Sequence, residues 1–183
     1  MHDAKYTTTA RLLHWLMAVL ILLTIPAGFL MVQEGISRAL QDALYLYHKN
    51  VGVLLLLLIL ARLCWRMLVP PPPLPVDMPD WQARIAGLTH AALYALVVIL
   101  PVAGYIRVKA GGFPIETLDA LGVPSLVPRS DALAATAQSV HFYAALAITA
   151  VACAHIGAAL FHGIVKRDGV FSRMWPPAGG RAR

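Results

Sequence analysis

The sequence predicts an all-α integral membrane protein, a bundle of four spanning helices. Three observations lead there. Hydrophobic residues make up 59% of the chain and charged residues 13%, where a soluble domain carries about 25% charged residues. Too few polar groups remain to cover a surface facing water. Four apolar runs each reach the roughly 20 residues that cross a bilayer as a helix. The basic residues gather in the short connections between those runs.

The first span is expected at about 12–32. Lys5 and Arg11 precede it, as basic residues precede a secretory leader. The run is longer than the usual 7–15-residue apolar stretch of a leader, and no A-x-A site follows, so it is read as a retained helix. Residues 33–43 connect it to a second span at about 44–68. The next connection, 69–85, holds Pro70, Pro71, Pro72, Pro73, Pro75 and Pro79. Such a run cannot continue a helix and favours extended polyproline geometry. A third span follows at about 86–108. The longest loop, 109–136, is punctuated by Gly111, Gly112, Pro114, Gly122, Pro124 and Pro128, with room for one interfacial helical turn at 115–121. The fourth span is expected at about 137–165. No internal repeat is visible, and residues 1–183 read as a single membrane domain.

Orientation follows the basic residues. Lys5, Arg11, Arg62, Arg66, Arg84, Lys166, Arg167, Arg173, Arg181 and Arg183 fall on one side; Arg38, Lys49, Arg107, Lys109 and Arg129 fall on the other. The excess on the first side favours both termini and the proline loop in the cytoplasm. That side is called inner below. The formal charge of +6 therefore reads as a topology signal, and no nucleic-acid partner is expected. Trp15, Trp65 and Trp175 fit interfacial belts. Cys64 and Cys153 both lie inside apolar runs, which suggests small core residues. No C-x-x-C-H occurs, so covalent haem attachment is not expected.

The histidines carry the chemistry. His14, His48, His90, His141 and His155 lie within or at the edges of spans, His162 lies near the inner end of span four, and His2 receives no role. Ionisable groups in lipid cost free energy and tend to face a functional interior. His14 and His155 fall at similar inner depth, and His48 and His141 at similar outer depth. Span four thus supplies one member of each of two pairs. Its two histidines are separated by about 21 Å along the helix and face nearly the same way, about 40° short of four full turns. A mononuclear zinc site needs clustered ligands, which this spacing forbids for His141 with His155.

Two stacked haems fit the separation, because haem iron takes axial imidazoles and bundle cores house cofactors on facing helices. The fold class expected is then a four-helix bundle enclosing two haems. Ala144, Ala145, Ala147, Ala152, Ala154, Gly157, Ala158 and Ala159, with Gly52 near His48, leave room for a flat macrocycle or promote close helix packing. Arg11, Arg62 and Arg66 inside, and Lys49, Arg107 and Lys109 outside, are candidates for haem propionates or anions. Topology and phospholipid contact explain them equally well. Glu34, Asp42, Glu116, Asp119 and Asp131 share the outer side with the basic groups.

Taken together, Arg11-Leu12-Leu13-His14-Trp15, His48 with Gly52, the polyproline loop, Gly87-Leu88-Thr89-His90, and His141 with His155 resemble the prokaryotic cytochrome b561 family. The resemblance spans about residues 6–175. It implies two non-covalent haems b, one between His14 and His155 and one between His48 and His141. It also implies electron transfer between periplasmic donors and membrane quinone. The nearest member type oxidises superoxide and reduces ubiquinone, and His162 stands where that type has a quinone-site histidine. His162 shares a face with His155 within about 20°. His90 starts span three on the same side and is a second quinone-site candidate, or a hydrogen-bond donor at a haem edge.

Two functions are therefore expected to compete. One is a quinone-linked di-haem oxidoreductase acting on superoxide. The other is a cytochrome b subunit serving a separate dehydrogenase, hydrogenase or cytochrome. A zinc-binding membrane protein is a third reading and predicts a colourless protein. A homodimer is left open.

Overall fold

A computed structural model of the chain describes residues 5–75 and 78–176. His2, Arg181 and Arg183 lie outside the described residues. Four long helices dominate: α1 (Thr8–Leu30), α2 (Arg38–Leu68), α3 (Asp80–Ala110) and α5 (Asp131–Leu160). A short helix, α4 (Glu116–Ala120), sits in the outer loop within the stretch expected to form a helical turn. All four long helices are apolar and long enough to cross a membrane.

The helices begin before the apolar runs do, because polar caps and not hydrophobicity set their starts. Thr7, Ser37 and Ser130 each accept a hydrogen bond from a backbone N–H three residues on, at 3.3 Å in each case. Such a cap satisfies one of the donors that a helix start leaves unpaired. Pro79 precedes α3 and Asp80 lies in its first turn, where a carboxylate complements the helix dipole. At the far end, α5 passes into a π-helical turn, Phe161–Lys166, which stops at Arg167 with φ 53°. Pro26 and Pro101 lie inside α1 and α3, which membrane helices tolerate where neighbours satisfy the freed carbonyls.

Packing runs α1 on α2, α2 on α3 and α3 on α5. Midway along the bundle, Met17, Leu55, Ile59, Val97 and Ile148 bury one another in an apolar layer. Ile148 stands seven residues from each of His141 and His155. The layer therefore separates an outer compartment from an inner one. Large apolar side chains such as Leu16, Leu23, Leu57, Leu60, Ile99 and Leu146 point away from the bundle, as a surface solvated by lipid requires. Cys64 and Cys153 are also on this exterior, which corrects the expectation that they pack in the core. In a membrane protein the outside is as apolar as the inside, so residence in an apolar run does not imply burial.

The inner end is strapped by the chain's return. Arg11 is 3% exposed and donates to the Pro176 carbonyl at 2.8 Å. Trp15 Nε1 donates to the Met174 carbonyl at 2.9 Å. Arg173 is 5% exposed and donates to the carbonyls of Pro72 and Pro73 at 3.0 and 2.6 Å. The polyproline segment thus offers unpaired carbonyls, and a buried arginine collects them. Hydrogen bonds to a charged donor contribute about 1.5–3 kcal/mol each.

Candidate functional site

The bundle brings the histidines together in two groups. At the outer level, His48 of α2 faces His141 of α5 with ring centroids 5.9 Å apart. At the inner level, His14 of α1 faces His155 of α5 at 6.3 Å. Metal–imidazole bonds of about 2.0–2.1 Å, one on each side of a single ion, place ring centroids on the order of 6 Å apart. Both separations fit that arrangement.

A cavity of about 840 Å³ opens between the helices around the outer pair, within the range of about 300–1,000 Å³ usual for cofactor sites. Its walls include His48, Gly52, Gly104, Arg107, His141 and Ala145. A Cβ added at Gly52 would meet nothing within 4 Å, so this glycine contributes open space and not helix contact. Ala144, by contrast, is buried. His48 Nδ1 lies 3.2 Å from the Thr24 carbonyl, and His141 Nδ1 lies 2.9 Å from the Leu100 carbonyl. A carbonyl only accepts, so each Nδ1 carries the proton and each Nε2 keeps its lone pair. These are the features a haem iron needs from neutral axial imidazoles.

At the inner level His14 Nδ1 is buried without a hydrogen-bond partner among the described residues. Its fit to an ion shared with His155 therefore rests on the 6.3 Å between their ring centroids. The inner group also has a third ring. His90 of α3 reaches His155 with centroids 5.5 Å apart. His162, in the π-helical turn, donates through Nδ1 to Asp168 at 2.6 Å. Burial alone would raise the Asp168 carboxyl, but hydrogen bonds from His162 and the Val170 N–H outweigh it and hold it below the usual carboxylate range. Asp168 was not legible as a site residue, because it lies beyond the fourth apolar run in a turn with no motif of its own.

The basic candidates separate by their partners. Lys49 pairs with Glu116 at 2.5 Å, and Lys109 pairs with Asp119, so both lysines are held by α4. Asn50 adds bonds to Glu116 and to the Thr117 N–H. Burial raises the Glu116 carboxyl, yet the bonds from Lys49 and Asn50 prevail and lower it. The Lys109 bond lowers Asp119. Arg38 pairs with Asp42. Arg107 lines the outer cavity and makes no ion pair among the described residues. On the inner side, Arg62 donates to the Ala10 carbonyl at 2.7 Å. Arg62 and Arg66 both stand over the Tyr94 ring, at 5.9 and 5.5 Å.

Comparison with known proteins identifies the family. The model of the prokaryotic cytochrome b561 family matches residues 5–177. The chain belongs to the prokaryotic cytochrome b561 family. Cytochrome b561 homolog 2 of Escherichia coli K12 is 30% identical over 93% of this chain and 90% of its own. Cytochrome b561 homolog 1 of the same bacterium is 28% identical over 94% and 97%. The probable superoxide oxidase CybB of Yersinia pestis is 27% identical over 96% and 98%. Membership makes this cytochrome b561 family chain a multi-pass membrane protein of electron transfer, and it implies binding of haem b.

Sequence reasoning missed Gly28 and Gly104, which lie against the outer histidines. The available signal was a proline followed shortly by a glycine in each of the two helices that supply no outer histidine.

Proposed function

We propose that the chain carries electrons across the membrane between a periplasmic donor, superoxide, and ubiquinone in the lipid phase. The observation that supports this reading is the pairing of imidazoles from different helices at two depths, 5.9 and 6.3 Å between ring centroids. His48 and His141 hold an outer haem b, and His14 and His155 hold an inner one. When bound, haem supplies reversible one-electron exchange at its iron. The four imidazoles would hold the two haems at levels about 21 Å apart along α5.

The remaining residues attract, position and protonate. Arg107 is the outer cation best placed for a propionate or an incoming anion, since the neighbouring lysines are committed to Glu116 and Asp119. His162, whose Nδ1 donates to Asp168, would take up a proton at Nε2 and pass it to a quinone carbonyl at the inner end. His90 is the second candidate there. Overall, two superoxide ions and two protons convert one ubiquinone to ubiquinol and release two dioxygen molecules. The chain lies in the bacterial inner membrane with both termini cytoplasmic, following the basic residues. Similarity to a probable superoxide oxidase supports the choice of donor.

The test supplies an enzymatic superoxide source and a short-chain ubiquinone to purified protein carrying both haems. Ubiquinol should form at a rate that superoxide dismutase abolishes. Protein that stays silent, yet reduces quinone when given a redox partner that co-purifies with it, would make the chain a cytochrome b subunit instead.

A further inference from the structure

The outer histidines are held by the same local device twice. His48 Nδ1 meets the carbonyl of Thr24, four residues before Gly28 of the same helix. His141 Nδ1 meets the carbonyl of Leu100, four residues before Gly104. A Cβ at Gly28 would stand 2.7 Å from His48 Cε1 and 3.1 Å from its Nδ1. A Cβ at Gly104 would stand 3.2 and 3.3 Å from the same atoms of His141. Each imidazole therefore lies flush on the backbone of a neighbouring helix: a Cβ at Gly28 could not fit unless the ring moved, and one at Gly104 would press on it. The helices concerned, α1 and α3, contribute neither outer histidine.

We propose that Gly28 with the Thr24 carbonyl, and Gly104 with the Leu100 carbonyl, are the positioning residues that fix tautomer and ring plane of the two outer axial ligands. The inference rests on the reading that His48 and His141 hold a haem. Hydrogen-bonded second partners orient a ligating histidine and raise its basicity, and their loss typically costs about 10–100-fold in metal affinity or activity. A more basic imidazole favours ferric over ferrous iron. The carbonyls themselves cannot be substituted, but the glycines that admit the rings can. Alanine at either position pushes the imidazole off its acceptor. It does not weaken the helix, since alanine is the better helix former by about 1 kcal/mol.

The test uses full-length purified protein and needs neither donor nor quinone. Ferric EPR and a potentiometric titration are recorded for Gly28→Ala, Gly104→Ala and, as a control, Gly87→Ala, whose added Cβ meets nothing within 4 Å. Gly28→Ala should shift the g-values of the outer haem, raise its midpoint potential and weaken its retention by about 10-fold or more. Gly104→Ala should move the same quantities in the same direction by less. The inner haem and Gly87→Ala should match the unmodified protein. Should Gly28→Ala fail to accumulate, the looser contact at Gly104 carries the same expectation. Unchanged g-values and potential in Gly104→Ala, or equal shifts in both haems, would overturn the proposal. His48→Ala protein that keeps its outer haem would instead overturn the reading beneath it.

Discussion

His48→Ala protein is expected to lose the outer haem and keep most of the inner one, and His14→Ala protein the reverse. In each case bound haem falls from about two per chain to about one, because a haem b without covalent links depends on its axial ligands. Independence follows from the apolar layer of Met17, Leu55, Ile59, Val97 and Ile148, which stands between the two levels. The layer buffers each compartment against the collapse of the other. The inner group adds a finer expectation. His90 is nearer to His155 than His14 is, at 5.5 against 6.3 Å, so proximity alone would select it as the ligand. His14 is preferred because the family resemblance pairs it with His155, and because 6.3 Å lies nearer than 5.5 Å to the separation of two imidazoles on one ion. His90→Ala should therefore keep both haems. A spectrum in which His90→Ala loses one haem and His14→Ala loses none would reassign the inner ligand.

Quinone reduction is expected to fall by at least about 100-fold in His14→Ala protein that still holds its outer haem, more than the loss of a supporting partner usually costs. About 21 Å of helix separates His141 from His155, with side chains that have no redox chemistry packed between them. Residues at the inner end, His162 with Asp168 foremost, are then cut off from the outer donor. The measurement is superoxide-driven ubiquinol formation, with reduction of the outer haem followed in the same sample. Reduction at the outer level should persist while ubiquinol formation stops. Persistent ubiquinol formation would place the quinone at the outer end and remove any role for His162.

Much of the fold was legible because lipid imposes a simple rule on sequence. Apolar runs declared the helices, and the proline cluster and glycine-rich loop declared the turns. The ends were less legible, since Thr7, Ser37 and Ser130 set the helix starts ahead of the runs. Burial was not legible at all for Cys64 and Cys153, because an apolar exterior mimics a core. Depth and helical phase pointed to the histidine pairs, whose rings stand 5.9 and 6.3 Å apart. Their supports were not. Thr24, Gly28, Leu100 and Gly104 act through backbone carbonyls and absent side chains, which leave almost no signature in composition. The pairing of Lys49 and Lys109 with α4 depended on where a five-residue helix would dock. The bond from Arg11 to the Pro176 carbonyl joins the two ends of the chain, where no local pattern announces it.

The most direct test is the ferric EPR spectrum of the unmodified protein, taken together with haem quantification. Two low-spin haems per chain, each with the signature of two imidazole ligands, is the expected result. One haem per chain, a high-spin centre with a single histidine, or a colourless protein holding zinc would contradict the account.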